Sequence, residues 1–96
     1  MASYLTLGSW TEQGIQNVKE SPQRVEAARS AIEAAGGHLV FFYMTMGQYD
    51  FAALVETDGD EAAAKLLLNL ARQGNIRTET VRAFTEEEHT SIIDSL

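Results

Sequence analysis

The sequence predicts one α+β domain whose elements run strand, helix, strand, strand, helix, strand. Three observations point there. Four short segments rich in β-branched and aromatic residues alternate with stretches whose apolar residues recur every three or four positions. Only Gly47 to Asp50 separate the second strand from the third, which permits a hairpin but not a parallel crossover. The length, 96 residues, suits a single domain over 1–96 with one core. A split βαβ order of this size is the ferredoxin-like arrangement: a four-stranded antiparallel sheet carrying two helices on one face.

The elements follow in order. Tyr4-Leu5-Thr6-Leu7 alternates and forms the first strand; Gly8-Ser9 loosens the chain and Trp10 stands at its exit. Thr11 suits the N-cap of a short helical turn through Lys19. Ser21 is a second candidate cap, with Pro22 at the first helical position, where its missing N–H costs nothing. Val25, Ala28, Ile32 and Ala35 form one helix face, and Gly36-Gly37 ends it. Leu39 to Met46 reads as the second strand and Phe51 to Glu56 as the third. Asp58-Gly59-Asp60 turns the chain, with either aspartate capping the next helix. Ala63, Leu66, Leu67 and Leu70 make its core stripe, and Gly74 ends it. Ile76 to Phe84 is the fourth strand. Thr85-Glu86-Glu87-Glu88 matches a capping box and predicts a short terminal helix.

Helices on one side cover one sheet face, so the other should be polar in a monomer. The second strand contradicts this. Simple alternation sends Leu39, Phe41 and Tyr43 one way and Val40, Phe42, Met44 and Met46 the other. The third strand offers Phe51, Ala53 and Val55 against Ala52 and Leu54. Two apolar faces need two covers. The sequence therefore predicts a homodimer whose sheets pack face to face; the alternative is a terminal helix folded back over the second face.

Composition narrows the function. There are no cysteines, which removes disulfides, thiolate chemistry and Cys-based metal sites, and favours a reducing compartment. No secretory signal and no apolar run of membrane-spanning length is present, so a cytoplasmic location is expected. The net charge is −7 with seven scattered cations, a poor match for nucleic acid or an anionic membrane. No phosphate loop, nucleophile elbow or zinc-binding motif occurs, and neither a metal nor another cofactor is expected.

The segments Met46-Gly47-Gln48-Tyr49-Asp50-Phe51 and Gly74-Asn75-Ile76-Arg77-Thr78-Glu79-Thr80 carry a resemblance. Taken with Leu7-Gly8-Ser9-Trp10-Thr11-Glu12-Gln13-Gly14 and Ser21-Pro22, they resemble the GYD domain family from about Tyr4 to Glu88. Gln48 departs from the family's name by separating the glycine from the tyrosine. The resemblance implies a dimeric α+β barrel of ferredoxin-like subunits. It carries over no catalytic residues, and related barrels include monooxygenases, isomerases and ligand sensors, so it implies fold more than function.

The candidate site residues each have two readings. Gly47 supplies a positive-φ turn position, and Asp50 either bonds the turn backbone or acts as a base, with Tyr49 as a donor beside it. His38 is a locally bonded strand-end residue or a second candidate base. Trp10 is a core anchor or a pocket wall. Tyr43 is another aromatic candidate. Arg82 pairs with a carboxylate, Glu56 or Asp50, or anchors an anionic ligand. Three classes follow. The first is a small-molecule binding or sensing module lined by Trp10, Tyr43, Tyr49 and Arg82. The second is a cofactor-independent enzyme using Asp50 or His38 on a phenolic or enolisable substrate. The third is an interaction protein whose pairing is its function.

Overall fold

The computed structural model describes all residues, 1–96. Its elements are β1 (Ala2–Trp10), α1 (Glu12–Gln16), a 3-10 turn (Val18–Glu20), α2 (Ser21–Ala34), β2 (His38–Met44), β3 (Phe51–Thr57), α3 (Asp60–Ala71), β4 (Ile76–Ala83) and α4 (Glu86–Asp94). The strands form one sheet in the order β2-β3-β1-β4, with every neighbouring pair antiparallel. This is the ferredoxin-like arrangement predicted from the sequence.

Local chemistry explains most boundaries. The Thr11 hydroxyl accepts from the Gly14 N–H at 3.1 Å and caps α1, as expected. The Thr85 capping box is complete, with Thr85 accepting from the Glu88 N–H and Glu88 from the Thr85 N–H. Gly47 takes φ +108 in the hairpin, a conformation that favours glycine.

Several expectations are corrected. β1 runs unbroken through Gly8 to Trp10, because the Phe51 ring packs on the bare Gly8 backbone; a Cβ there would lie 2.0 Å from its tip. The first helical stretch splits into α1 and the 3-10 turn. Ser21 does not cap α2, because that turn runs directly into it through Glu20, which makes no side-chain cap bond. Neither Asp58 nor Asp60 caps α3. Gly59 takes that position, held by the Thr57 hydroxyl, and the Asp60 carboxylate instead accepts from the Tyr4 hydroxyl. β2 stops at Met44, leaving Met46 exposed in the hairpin, and β4 stops at Ala83.

The largest correction concerns β2. A bulge between Leu39 and Phe41 inserts Val40. One extra residue reverses the alternation. Leu39 therefore joins Phe42 on the helix side, where both line one cavity with Val25, Ala28 and Ile32 of α2. Phe41 and Tyr43 keep the opposite face, their rings stacked at 5.0 Å. Ala35, expected on the inner face of α2, is its exposed C-cap.

Covering is sparse. Only 11 of 96 residues are buried, and the buried apolar side chains are Tyr4, Ile32, Phe51, Ala53 and Ala63. The helices thus cover the inner face incompletely. α4 adds little cover: it has no buried residue, and Ile92, Ile93 and Leu96 are exposed.

Candidate functional site

The two faces of the sheet offer two candidate surfaces. On the helix side, a cavity of about 110 Å³ lies between the sheet and helices α2 and α3. Trp10, Phe42 and Phe51 supply its aromatic wall; Val25, Ile32 and Leu70 close it from the helices. The Phe42 and Phe51 rings stack at 5.3 Å. Polar residues enter the lining around Arg24, Gln73 and Asn75. They are tied together at one end of the sheet. Arg24 donates to the Asn17 carbonyl at 3.0 Å and to that of Gly14 at 3.4 Å, and Gln13 donates to the Gln73 carbonyl and the Asn75 side chain.

On the other side, register places Phe41, Leu54, Leu5 and Val81 in one row across all four strands. The next row holds Tyr43, Ala52, Leu7 and Glu79. No helix covers these rows, and Tyr43 is 64% exposed. Polar residues bound them: His38, Glu56 and Ser3 at one end, Ser9 and Arg77 at the other. That rim carries both signs of charge.

The structure does not gather the four predicted ligand-binding residues around one pocket. Trp10 lines the cavity. Tyr43 belongs to the opposite face. Tyr49 donates from the hairpin to the Glu79 carboxylate, on the open face beside Leu7. Arg82 sits beside Tyr4 at the far end of β4, 3.8 Å from Glu88 and over the Phe84 ring at 4.5 Å. Its carboxylate partner is therefore Glu88, not Glu56 or Asp50: Glu56 lies on the other sheet face, and Asp50 at the other end of the sheet. Alternation and hairpin geometry, invisible in composition, cause the scatter. The aromatic partners that the cavity gives Trp10 (Phe42 and Phe51) stand in plain strands; only the register that sets Phe51 against Gly8 could have singled them out.

The two candidate bases are also separated. His38 opens β2 and is exposed, whereas Asp50 closes the hairpin beyond its other end. At about 3.3 Å per residue this puts them roughly 20 Å apart, too far to share a reacting group. Asp50 is a brace. Its carboxylate accepts from the Trp10 N–H at 3.0 Å, and its own N–H donates to the Gly8 carbonyl at 2.8 Å. It locks the hairpin onto the end of β1. Asp50→Ala leaves the Trp10 N–H without its acceptor and should destabilise the fold by about 2 kcal/mol. Asp50→Asn keeps an acceptor oxygen and should cost less than half of that, measured by thermal unfolding. Equal losses in the two variants would sink the bracing role. No three histidine or carboxylate side chains converge as a metal cluster.

Two phenols are shifted. Tyr4 and Tyr49 have pKa values raised above the ordinary phenol range, in each case first by donating to a carboxylate, Asp60 and Glu79 respectively. Each raised pKa stabilises the fold below the unfolded value of about 10, and this contribution is lost as pH climbs through the higher folded value. Absorbance titration of tyrosinate should show two phenols ionising late, with unfolding following at alkaline pH. Asp60→Asn should return one of them toward the ordinary range.

An antiparallel β2-β3-β1-β4 sheet with helices on one face and an uncovered apolar face on the other defines a ferredoxin-like α+β domain. The GYD domain family model matches residues 4–93, and the chain belongs to that family. A curated relative from Thermus thermophilus, named "Glutamine synthetase and cystathionine beta-lyase binding protein", is 29% identical over 84 residues, covering 86% of this chain and 88% of the relative. The crystal structure of TTHA0845 from the same bacterium superposes with a TM-score of 0.55 at 26% identity, covering 88% of this chain and 95% of that one. No helix is long and apolar enough to cross a membrane.

Proposed function

We propose that this GYD protein is a dimeric binding module whose partners are proteins. The observation that carries the reading is the apolar row Phe41–Leu54–Leu5–Val81, which crosses the whole sheet without a cover. An apolar surface of that continuity is an interface or a liability to aggregation. A second copy suits it, because a two-fold axis sets the row against itself and the mixed charges of the rim impose no single-sign repulsion. The Thermus relative's name describes a protein that binds two enzymes. By analogy, the paired chain docks on a larger metabolic enzyme through surfaces outside the sheet interface, and its natural place is the cytoplasm.

The test is direct. Sedimentation or native mass spectrometry at micromolar concentration should give a mass of two chains. The purified dimer should then retain glutamine synthetase or cystathionine β-lyase from its own organism on a sensor surface. A monomeric mass would end the pairing. Failure to retain either enzyme, with the dimer intact, would end the analogy to the relative while leaving the sheet interface standing.

Small-molecule sensing keeps support only at Trp10, the one predicted ligand-binding residue at the cavity. A base-catalysed reaction has weaker support, since neither alternative base lines the cavity: Asp50 is held by the Trp10 N–H and His38 is exposed at a strand start.

A further inference from the structure

The helix-side cavity has the size and lining of a ligand site. Its volume, about 110 Å³, is many times what one water needs, which is on the order of 10–15 Å³ by the same measure. A water there would need at least two polar partners. Most of the lining, including Leu39, Phe42, Ala53, Val55, Ala28 and Ile32, is apolar and supplies none. The hydroxyl residues in the lining are Thr6, already bonded to Thr80 at 2.9 Å, Ser21 and Thr78. So apolar a lining accepts apolar groups; an enclosed apolar cavity of about 150 Å³ accepts benzene.

One end differs. Arg24 belongs to the lining, and its side chain is only 21% exposed. Its one ion-pair partner, Glu20, is 68% exposed and 3.8 Å away. The guanidinium otherwise bonds only backbone carbonyls, those of Asn17 and Gly14. A largely covered cation with so loose a counter-charge, beside an apolar aromatic space, matches a carboxylate joined to one ring.

We infer that the cavity bounded by Trp10, Phe42, Phe51 and Arg24 binds a small monocyclic aromatic carboxylate, with the ring among the aromatic side chains and the carboxylate on Arg24. The site lies on the face of the sheet opposite the proposed dimer interface, so either can stand without the other. Trp10 is the only tryptophan and forms part of the wall, which makes it a built-in reporter.

The 96-residue chain is titrated with phenylacetate and with toluene while Trp10 fluorescence is followed. Both should give a saturable change at one site per chain, and phenylacetate should bind more tightly. Arg24→Gln should weaken phenylacetate about tenfold and leave toluene unchanged. Ala28→Leu fills the cavity and should abolish both responses. If that variant does not fold, intermolecular NOEs in the unmodified protein decide instead, and they should connect the phenylacetate ring to the Val25 and Leu39 methyls. Absence of a saturable response to either probe would overturn the site. So would undiminished binding in folded Ala28→Leu, or NOEs confined to the open sheet face. Phenylacetate binding that ignores Arg24→Gln would overturn the carboxylate assignment.

Discussion

Gly14→Ala is expected to lower stability by about 2 kcal/mol, although alanine is the better helix former. Gly14 is buried in α1, and a Cβ there would lie 2.0 Å from the Asn75 carbonyl oxygen and 2.9 Å from its carbon. Both atoms are backbone, so no rotamer change relieves the overlap. The neighbouring ladder adds resistance: the Thr11 N–H donates to the Asn75 carbonyl at 3.1 Å, and the Thr11 hydroxyl donates to the Gly74 carbonyl. Helix propensity returns about 1 kcal/mol for Gly to Ala. Overpacking against fixed backbone costs about 3 kcal/mol, the upper end of its usual range. The clash therefore wins. For a chain this size the difference lowers Tm by roughly 10 °C, readable by circular dichroism. Gly36→Ala provides contrast: it meets nothing within 4 Å, so its cost comes only from φ +86. A Gly14→Ala protein as stable as the parent would show that α1 does not seat on the β4 entry.

Leu54→Arg should convert the proposed dimer into a well-folded monomer. Leu54 occupies the central strand β3 and stands between Phe41 and Leu5 in the apolar row. It is only half-buried in the single chain, so an arginine there can reach water without disturbing the helix side. Across a two-fold interface the substitution appears twice and buries two like charges near the axis. The dissociation constant should rise by at least about a hundredfold, equivalent to roughly 2.7 kcal/mol. Sedimentation velocity would read it, with thermal unfolding as the control for folding. If Leu54→Arg sediments like the parent dimer, pairing uses some other surface. Val40→Arg is the matched control: Val40 is exposed in the bulge and outside the apolar row, and it should leave the mass unchanged.

The candidate site was legible in part. Trp10 could be named from sequence because a lone tryptophan at a strand exit is conspicuous, and it does line the cavity. Tyr43, Tyr49 and Arg82 carried equally suggestive side chains, yet they are dispersed. Tyr43 faces away because strand alternation puts it there. Tyr49 is held by Glu79, and Arg82 by Glu88 and Phe84. Each satisfies a local partner that lies near in space and, for Tyr49, 30 residues away in the chain. Asp50 shows the same limit: its residue type suggested chemistry, but its contact is the Trp10 backbone 40 residues earlier.

By itself the sequence determined the order of elements, the hairpin, the Thr11 and Thr85 caps, and the presence of more apolar strand surface than two helices can cover. These depend on spacing, on turn residues and on local hydrogen bonds, all of which act within a few positions. Only the tertiary structure decided which side chains share a face. The Val40 bulge shifts β2 by one residue, and with a side-chain period of two, one residue moves Leu39 from the outer face to the inner. The cavity likewise exists only after α2 and α3 are laid over the sheet, because its walls come from segments that meet through packing rather than through sequence proximity.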